Sequence, residues 1–224
     1  MDNEDFDIVV IGSGVIGHSI AFRLKQDDPQ LKIAVLGDSV NSLQASRAAA
    51  GMLAPFCECD QADTFFSFCR ESLDKFPKFL AELFSVSGSP VHFSLAGSLM
   101  PSSNFLETWE ERKTFFVREN IPHEIWSTEK VHQKAPYLSA DCGEVVWVGE
   151  GQVNNRQMHD SLMIASKKLG IHVLEANVSG FIREDSTIAL AMTDAGKVVG
   201  NKFVLASGSW SSQLASVLEV SIPL

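Results

Sequence analysis

A glycine-rich turn between two apolar segments constrains the fold more than any other feature of this sequence. Residues 8–11 are apolar, as expected for a parallel strand covered on both faces. Residues 15–24 then place apolar side chains at helical spacing, and residues 31–36 form a second apolar segment. The turn carries a G-x-G-x-x-G pattern at Gly12, Gly14 and Gly17. This order of strand, glycine turn, helix and strand within about 30 residues predicts a dinucleotide-binding unit.

Each glycine of the turn has a predicted role. Gly12 allows the tight turn out of the strand, Gly14 lets the backbone approach a pyrophosphate, and Gly17 lets the helix pack closely. The first turn of the helix, with Val15 and Ile16, offers unpaired N–H groups and the positive end of the helix dipole to the phosphates. We therefore predict that these residues bind a nucleotide cofactor.

The end of the second strand departs from the usual pattern. Dinucleotide-binding units place Asp or Glu there, where the carboxylate holds the ribose hydroxyls. Here that position is Gly37, and Asp38 follows it. We expect Asp38 to take the role of the acid, with backbone contacts to the ribose as the alternative. Because no Arg or Lys stands there, a 2′-phosphate is disfavoured.

The segment after the second strand is rich in small residues and reads ASRAAAGMLAP over residues 45–55. Together with the glycine turn, it resembles the FAD-dependent D-amino acid oxidase family, most closely the glycine oxidase branch linked to thiamine biosynthesis. The resemblance implies that this segment wraps the flavin end of FAD. The residues with that role would be Ser46, Ala49, Ala50, Gly51 and Met52.

Two further expectations follow from the resemblance in this segment. Relatives that attach flavin covalently here do so through a histidine, and none lies between Asn41 and Pro55. FAD is therefore expected to be non-covalent. Met52 is the one residue that we predict as a wall of the substrate pocket.

A second small-residue motif lies near the C-terminus and reads FVLASGSWS over residues 203–211. It resembles the second flavin-contact motif of the same family. The contact residues implied are Ala206, Ser207, Gly208 and Trp210. The family also places a backbone contact to the adenine after the third parallel strand, which corresponds to about Val178.

The predicted fold class is α/β. We expect a Rossmann-like FAD-binding domain, with a parallel sheet, helices and a β-meander, plus part of an α+β substrate domain. The predicted boundaries are 1–88 and 149–224 for the two segments of the FAD-binding domain and 89–148 for the partial substrate domain. The resemblance covers only the N-terminal part of a typical family member, so we expect the chain to be a fragment.

Composition excludes several classes of function. The formal net charge is -10 and the basic residues are scattered, which argues against a nucleic-acid partner. The N-terminus is acidic, unlike a signal peptide, and no apolar run is long enough for a membrane helix. The four cysteines follow no metal-binding or disulfide-rich spacing, so we expect reduced thiols, no metal and a cytoplasmic location.

The resemblance implies an FAD-dependent oxidoreductase. Its substrate would be a small amino acid, glycine or a D-amino acid, oxidised to the imino acid with hydride transfer to flavin N5. Oxygen would be the electron acceptor and hydrogen peroxide a product. No Ser-His-Asp or paired-carboxylate arrangement is evident, so no catalytic side chain is assigned. The sequence is also compatible with a homo-oligomer.

Three other interpretations remain open at this point. A nicotinamide-dependent dehydrogenase would share the glycine turn, but it gives no reason for the small residues at 48–51 and 206–208. A flavin dehydrogenase that uses another electron acceptor fits the same motifs. A catalytically incomplete nucleotide-binding fragment, acting as a scaffold or partner, is the third.

Overall fold

The computed structural model describes residues 5–38, 45–139, 141–185 and 187–223. The strands, in chain order, are β1 (Asp5–Ile11), β2 (Ile33–Leu36), β3 (Met52–Leu53), β4 (Phe93–Ser94), β5 (Ser98–Pro101), β6 (His123–Trp126), β7 (Val145–Val148), β8 (Gly151–Val153), β9 (His172–Leu174), β10 (Val178–Glu184), β11 (Thr187–Thr193) and β12 (Gly196–Leu205). The α-helices are α1 (Val15–Asp27), α2 (Ala45–Ala48), α3 (Pro55–Glu58), α4 (Thr64–Ser87), α5 (Trp109–Arg118), α6 (Thr128–Lys134), α7 (Asn155–Lys168) and α8 (Ser211–Ser216). Short 3-10 helices cover Ser102–Asn104 and Gly208–Trp210.

The chain divides into two compact units. The first unit comprises Met1–Ala49, Glu82–Val91 and Asn155–Leu224, and the second comprises Ala50–Ala81 and His92–Asn154. Residues 50–81 thus group with the second unit, whereas the sequence assigns them to the first segment of an FAD-binding domain. That assignment is a functional one and stays a prediction.

The first unit is built on a six-stranded sheet in the order β10-β11-β12-β1-β2-β9. Strands β12, β1, β2 and β9 run parallel, while β10 and β11 form an antiparallel meander next to β12. The predicted α/β class, with a parallel sheet and a meander, is confirmed. The alternating sequences of residues 178–183 and 187–192 predict a hairpin with its turn at 184–186; β10 and β11 form this hairpin, and Ser186 of its turn lies outside the described residues.

Side chains of β1 alternate between two cores because successive residues of a strand point to opposite faces. Val9 and Ile11 pack in one cluster with Leu214 of α8. Ile8 and Val10 pack in another, which includes residues of α1. The central strand is therefore covered on both faces, as its continuous apolar sequence predicts.

The second unit contains two three-stranded sheets, ordered β3-β8-β4 and β5-β7-β6. Its main core is rich in aromatic side chains, among them Phe56, Phe66 and Phe116. The sequence predicts a helix over residues 61–84 whose apolar face includes Phe65 and Phe68, but on α4 these two side chains are exposed and Phe66 is buried. The sequence also predicts a kink or a break between two helices at Pro77, and the break does not occur, because α4 continues through it. Proline removes a single intrahelical hydrogen bond, and the turns on either side keep theirs.

Two more predicted elements differ in extent. The sequence suggested separate strands at 198–200 and 202–206, whereas β12 is one continuous strand. The helix expected over 104–118 begins only at Trp109, after the 3-10 helix and a turn. Both are differences of boundary, because the type of each element is as predicted.

Candidate functional site

The carboxyl ends of the central parallel strands form one edge of the six-stranded sheet. Ile11 of β1 is in register with Leu36 of β2 on one side and with Leu205 of β12 on the other. The chain leaves β1 for β2 in one direction and reaches β12 in the other, so the strand order reverses at β1. Ligands of open α/β sheets bind outside the carboxyl ends of the strands at such a reversal.

The glycine turn that leaves β1 is tightly packed against its neighbours. Gly12 has φ +121, and a Cβ on it would lie 2.1 Å from the carbonyl oxygen of Ala206. A Cβ on Gly17 would lie 1.8 Å from the carbonyl oxygen of Gly12. No side chain fits at either distance, so both glycines are required by the packing of this turn.

Gly14 has different surroundings. Apart from the residues next to it in the chain, the one heavy atom of the described residues within 4 Å of its Cβ position is Ser46 Oγ, at 3.1 Å. The same hydroxyl accepts a hydrogen bond from the Val15 N–H at 3.1 Å. Ile16, the next residue of the first turn of α1, is exposed. The first N–H groups of an α-helix lack intrahelical acceptors; here the Val15 N–H is satisfied by Ser46, and the space around the Cβ position of Gly14 is largely open.

The position of the missing acid, Gly37, has a steric explanation. Its φ is +153, and a Cβ there would lie 2.7 Å from Ser13 Oγ and 2.9 Å from Ser13 N. A side chain at this position would therefore strain the backbone and collide with the glycine turn. Asp38 follows, half-buried. Its predicted contact with a ribose stays a prediction.

The loop after β12 lies beside the glycine turn. The Ala206 N–H donates to the Ile11 carbonyl at 2.7 Å, which continues the parallel pairing into the loop. The Ser207 and Ser211 hydroxyls are 3.1 Å apart. Gly208 has φ +57, and no heavy atom of the described residues other than its chain neighbours lies within 4 Å of its Cβ position; Trp210 is 55% exposed. The structure thus brings the predicted residues of this loop to the same edge as Gly12.

Helix α2, which contains Ser46, is attached to the start of α7. Asn155 Nδ2 donates to the Ser46 carbonyl at 2.5 Å, and Arg156 Nε donates to the Arg47 carbonyl at 3.2 Å. Ala49, just after α2, is exposed. The backbone of α2 is held by these hydrogen bonds, and the small side chain of Ala49 leaves the adjoining surface accessible to a flat ligand.

Two buried histidines near the glycine turn were not anticipated from the sequence. His159 Nε2 lies 2.8 Å from the Ser13 carbonyl oxygen, and His159 Nδ1 lies 3.3 Å from Arg47 Nη1. His18 Nδ1 lies 3.0 Å from Ser166 Oγ. Burial, with His159 nearby, lowers the pKa of His18 to about 4. A signal for the α7 side of this contact is present in the sequence. His159 and Ser166 are seven residues apart and lie next to the apolar positions of α7, so helical spacing places them on the buried face of that helix.

The remaining predicted residues of the small-residue segment belong to the second unit. Gly51 has φ +80, and its carbonyl accepts from the Val153 N–H at 2.8 Å. Met52 pairs with Gln152 of β8 and is 62% exposed. Ala50 is also exposed. Their roles as flavin and substrate contacts stay predictions.

Buried Glu150 organises the chain after β3 in the same unit. One of its carboxylate oxygens accepts hydrogen bonds from the N–H groups of Phe56 and Cys57, at 3.1 and 3.2 Å. Burial, and then the hydrogen bond to Glu150, raises the pKa of the Cys57 thiol. This cysteine is consequently a poor nucleophile.

Val178 is the predicted adenine contact. It begins β10, which β11 and β12 separate from β1 within the sheet. Its half-buried side chain packs against the cluster around Val9. The suggested backbone contact stays a prediction.

Neither a metal-ligand cluster nor a membrane-spanning helix is present among the described residues. They contain no group of three or more His, Cys, Asp or Glu side chains placed to hold a metal ion. No helix among them combines the length and apolarity needed to cross a membrane. All four cysteines are free.

A parallel sheet with a glycine turn and a second small-residue loop at its strand reversal defines the class of nucleotide-binding α/β oxidoreductase folds. The comparison with protein families narrows that class. The chain belongs to the DAO family of FAD dependent oxidoreductases, whose family model matches residues 7–224. FAD is thus the cofactor of its family, and the open first turn of α1 at Gly14 fits the pyrophosphate of such a cofactor.

Similar proteins agree with this assignment. The bifunctional protein ThiO/ThiG of Trichormus variabilis is 31% identical over 213 residues, which cover 93% of this chain and 32% of that protein. The glycine oxidase of Bacillus subtilis is 28% identical over 92% of this chain and 55% of its own length. The crystal structure of glycine oxidase from Geobacillus kaustophilus superposes with a TM-score of 0.89 at 22% identity, covering 97% of this chain and 59% of that one. The chain spans less than two thirds of the length of each.

Proposed function

We propose that this chain is the FAD-binding part of an amino acid oxidase that acts on glycine or another small amino acid. The observation that carries the proposal is the meeting of two small-residue turns at one sheet edge, with Gly12 against Ala206. A nicotinamide-binding unit needs only the first of these turns. Similarity to glycine oxidases supports the choice of substrate.

The residues of the first unit would bind the cofactor through backbone. The first turn of α1 would hold the pyrophosphate with its N–H groups, and the Ser46 hydroxyl lies beside that position. Ala206, Ser207 and Gly208 would border the flavin end. We propose non-covalent binding, because residues 41–55 contain no histidine to attach to.

When bound, FAD would supply the hydride acceptor, at its N5, and the route for the electrons to oxygen, with hydrogen peroxide as the product. The amino acid would lose a hydride from its Cα and a proton from its nitrogen, which leaves the imino acid. The chain's own residues would position and enclose the reactants. Met52, exposed in the second unit, is proposed as a pocket wall.

The domain assignment forms part of the same proposal. We propose that residues 1–88 and 149–224 form the two segments of the FAD-binding domain and that residues 89–148 belong to a partial substrate domain. A cytoplasmic location is also proposed, in keeping with the four free thiols.

Absorption spectroscopy of the purified chain tests the cofactor. We expect flavin bands, either as isolated or after addition of FAD, and release of free FAD on acid treatment. A chain that stays colourless after incubation with FAD would contradict the proposal for this chain.

A peroxide assay with glycine tests the activity. It is best done with the FAD-loaded chain and with a form extended to the length of the relatives. Peroxide production supports the oxidase. Reduction of the flavin by glycine without peroxide would instead favour a dehydrogenase with another acceptor.

A further inference from the structure

His159 lies between the glycine turn and the Arg47 side chain. It stands on α7 and is completely buried. Its Nε2 is 2.8 Å from the Ser13 carbonyl oxygen, and its Nδ1 is 3.3 Å from Arg47 Nη1. Arg47 is fixed in turn by an ion pair with Asp160 at 2.6 Å.

The two partners of the ring determine which nitrogen carries the hydrogen. A carbonyl oxygen can only accept, so Nε2 must donate to Ser13. A guanidinium can only donate, so Nδ1 must present its lone pair to Arg47. A hydrogen on Nδ1 would place two donors face to face. The surroundings thus select the Nε2–H tautomer of His159.

The bond to Ser13 also sets the direction of the next N–H group. In a planar trans peptide the carbonyl and the following N–H point in opposite directions. Because His159 holds the Ser13 carbonyl toward α7, the Gly14 N–H points away from α7. Gly14 is the position whose surroundings are open at the start of α1.

Arg47 extends the contacts of His159 to the side of the proposed phosphate position where Ser46 lies. It follows Ser46, whose hydroxyl accepts from the Val15 N–H. The single ring of His159 therefore contacts the glycine turn and the neighbour of Ser46 at once. Ser13 and Arg47 lie 146 and 112 positions away from it in the sequence.

We infer that His159 is a positioning residue, which orients the Gly14 N–H and Ser46 for the cofactor pyrophosphate. The inference rests on the proposed FAD site. His159 itself touches neither cofactor nor substrate, and it acts through the Ser13 carbonyl and Arg47. Replacing it should weaken FAD binding more than it weakens the fold.

The test compares His159→Leu with His159→Gln in the 224-residue chain. Glutamine places an amide N–H near the position of Nε2 and can still donate to Ser13, whereas leucine cannot. We expect the FAD dissociation constant, measured by flavin fluorescence, to rise about tenfold in His159→Leu and to stay within about twofold in His159→Gln. The matched control is His132→Gln on α6, an exposed histidine, which should change nothing.

A second variant tests the same inference if His159→Leu does not fold. Arg47→Met removes the donor to Nδ1 from a partly exposed position. We expect a severalfold weaker FAD affinity with a nearly unchanged melting temperature of the apoprotein. Nitrogen-15 NMR of the ring, assigned by its absence in His159→Gln, should show the Nε2–H tautomer in the parent chain.

The outcomes separate the two proposals. Parent protein that binds no FAD overturns the proposed function and this inference with it. Parent protein that binds FAD, with unchanged affinity in both His159→Leu and Arg47→Met, overturns the inference alone. Equal loss in the Leu and Gln variants would do the same, since a purely packing role predicts no rescue by glutamine.

Discussion

The glycines around the proposed cofactor site fall into two regions with opposite surroundings. At the base of the turn, which we define as Gly12, Gly17 and Gly37, an added Cβ would meet the carbonyl oxygens of Ala206 and Gly12 and the Ser13 side chain at 1.8 to 2.7 Å. At the rim, defined as Gly14 and Gly208, the added atom meets Ser46 Oγ at 3.1 Å in the first case and, chain neighbours aside, no heavy atom of the described part of the chain within 4 Å in the second. The base is filled by protein and the rim is open.

This difference separates two reasons for glycine that a motif alone does not distinguish. A base glycine is required for the turn to pack, whether or not a ligand is bound. A rim glycine leaves space that the fold itself does not use. Substitutions at the base should therefore lower stability, and substitutions at the rim should lower affinity for the cofactor.

The largest loss of stability is expected from Gly17→Ala. Its Cβ would lie 1.8 Å from the Gly12 carbonyl, so α1 and the glycine turn must move apart. We expect the free energy of unfolding to fall by more than about 3 kcal/mol, at the upper end of overpacking effects. Urea denaturation of the apoprotein measures this.

Ser19→Ala on the same helix is the matched control for Gly17→Ala. Ser19 is only half-buried, and alanine has the higher helix propensity, so the change should stay within about 0.5 kcal/mol. If Gly17→Ala proves as stable as this control, the division into base and rim is contradicted at Gly17, the base glycine with the shortest contact.

A smaller loss is expected from Gly37→Asp, which restores the acid usual at this position. The φ of +153 and the contact with Ser13 should together destabilise the chain by about 2 kcal/mol. Gly196→Asp is the matched control, because Gly196 has φ +122 and its Cβ position has no heavy atom within 4 Å among the residues that the structure describes, its chain neighbours aside. The difference between the two variants isolates the collision with Ser13. A gain in FAD affinity without loss of stability in Gly37→Asp would show that the acid can be accommodated.

The fold was largely predictable because its signals are local. The alternation of strands and helices around the glycine turn follows from runs and periodicities within a few residues. Of the kink or break predicted at Pro77, the break does not occur, since proline signals a helix end when considered alone, whereas α4 continues through it. The face of α4 was also misjudged, since Phe65, Phe66 and Phe68 are equally apolar and only packing selects Phe66.

From strand positions alone, the placement of the candidate site residues was predictable only where they follow the ends of strands. Gly12 and Ala206 follow parallel neighbours, so they had to reach the same edge of the sheet. His159 could not be placed in the same way, because its contact with Ser13 joins residues 146 positions apart. The sequence also did not explain why position 37 is glycine. The reason is the position of Ser13, which leaves no room there for a side chain.

Of the three variants at glycines of the proposed site, Gly14→Val should affect stability least and should nevertheless eliminate FAD retention. Gly14 has φ -77, which valine adopts without strain, and its Cβ would meet Ser46 Oγ at 3.1 Å. Valine is a poorer helix N-cap than glycine, so a loss of about 1 kcal/mol or less in the free energy of unfolding is expected. Its two methyl groups, however, would occupy the open space in which the pyrophosphate is proposed to bind.

The matched control is Ser127→Val at the N-cap of α6, whose hydroxyl accepts from the Lys130 N–H at 3.3 Å. That variant should lose about 1 kcal/mol of stability through the missing cap and keep its flavin absorption. Measuring unfolding and absorbance at the flavin band on both variants separates stability from binding. Yellow colour retained by Gly14→Val would show that the phosphates bind elsewhere, and the rim would then be open for another reason.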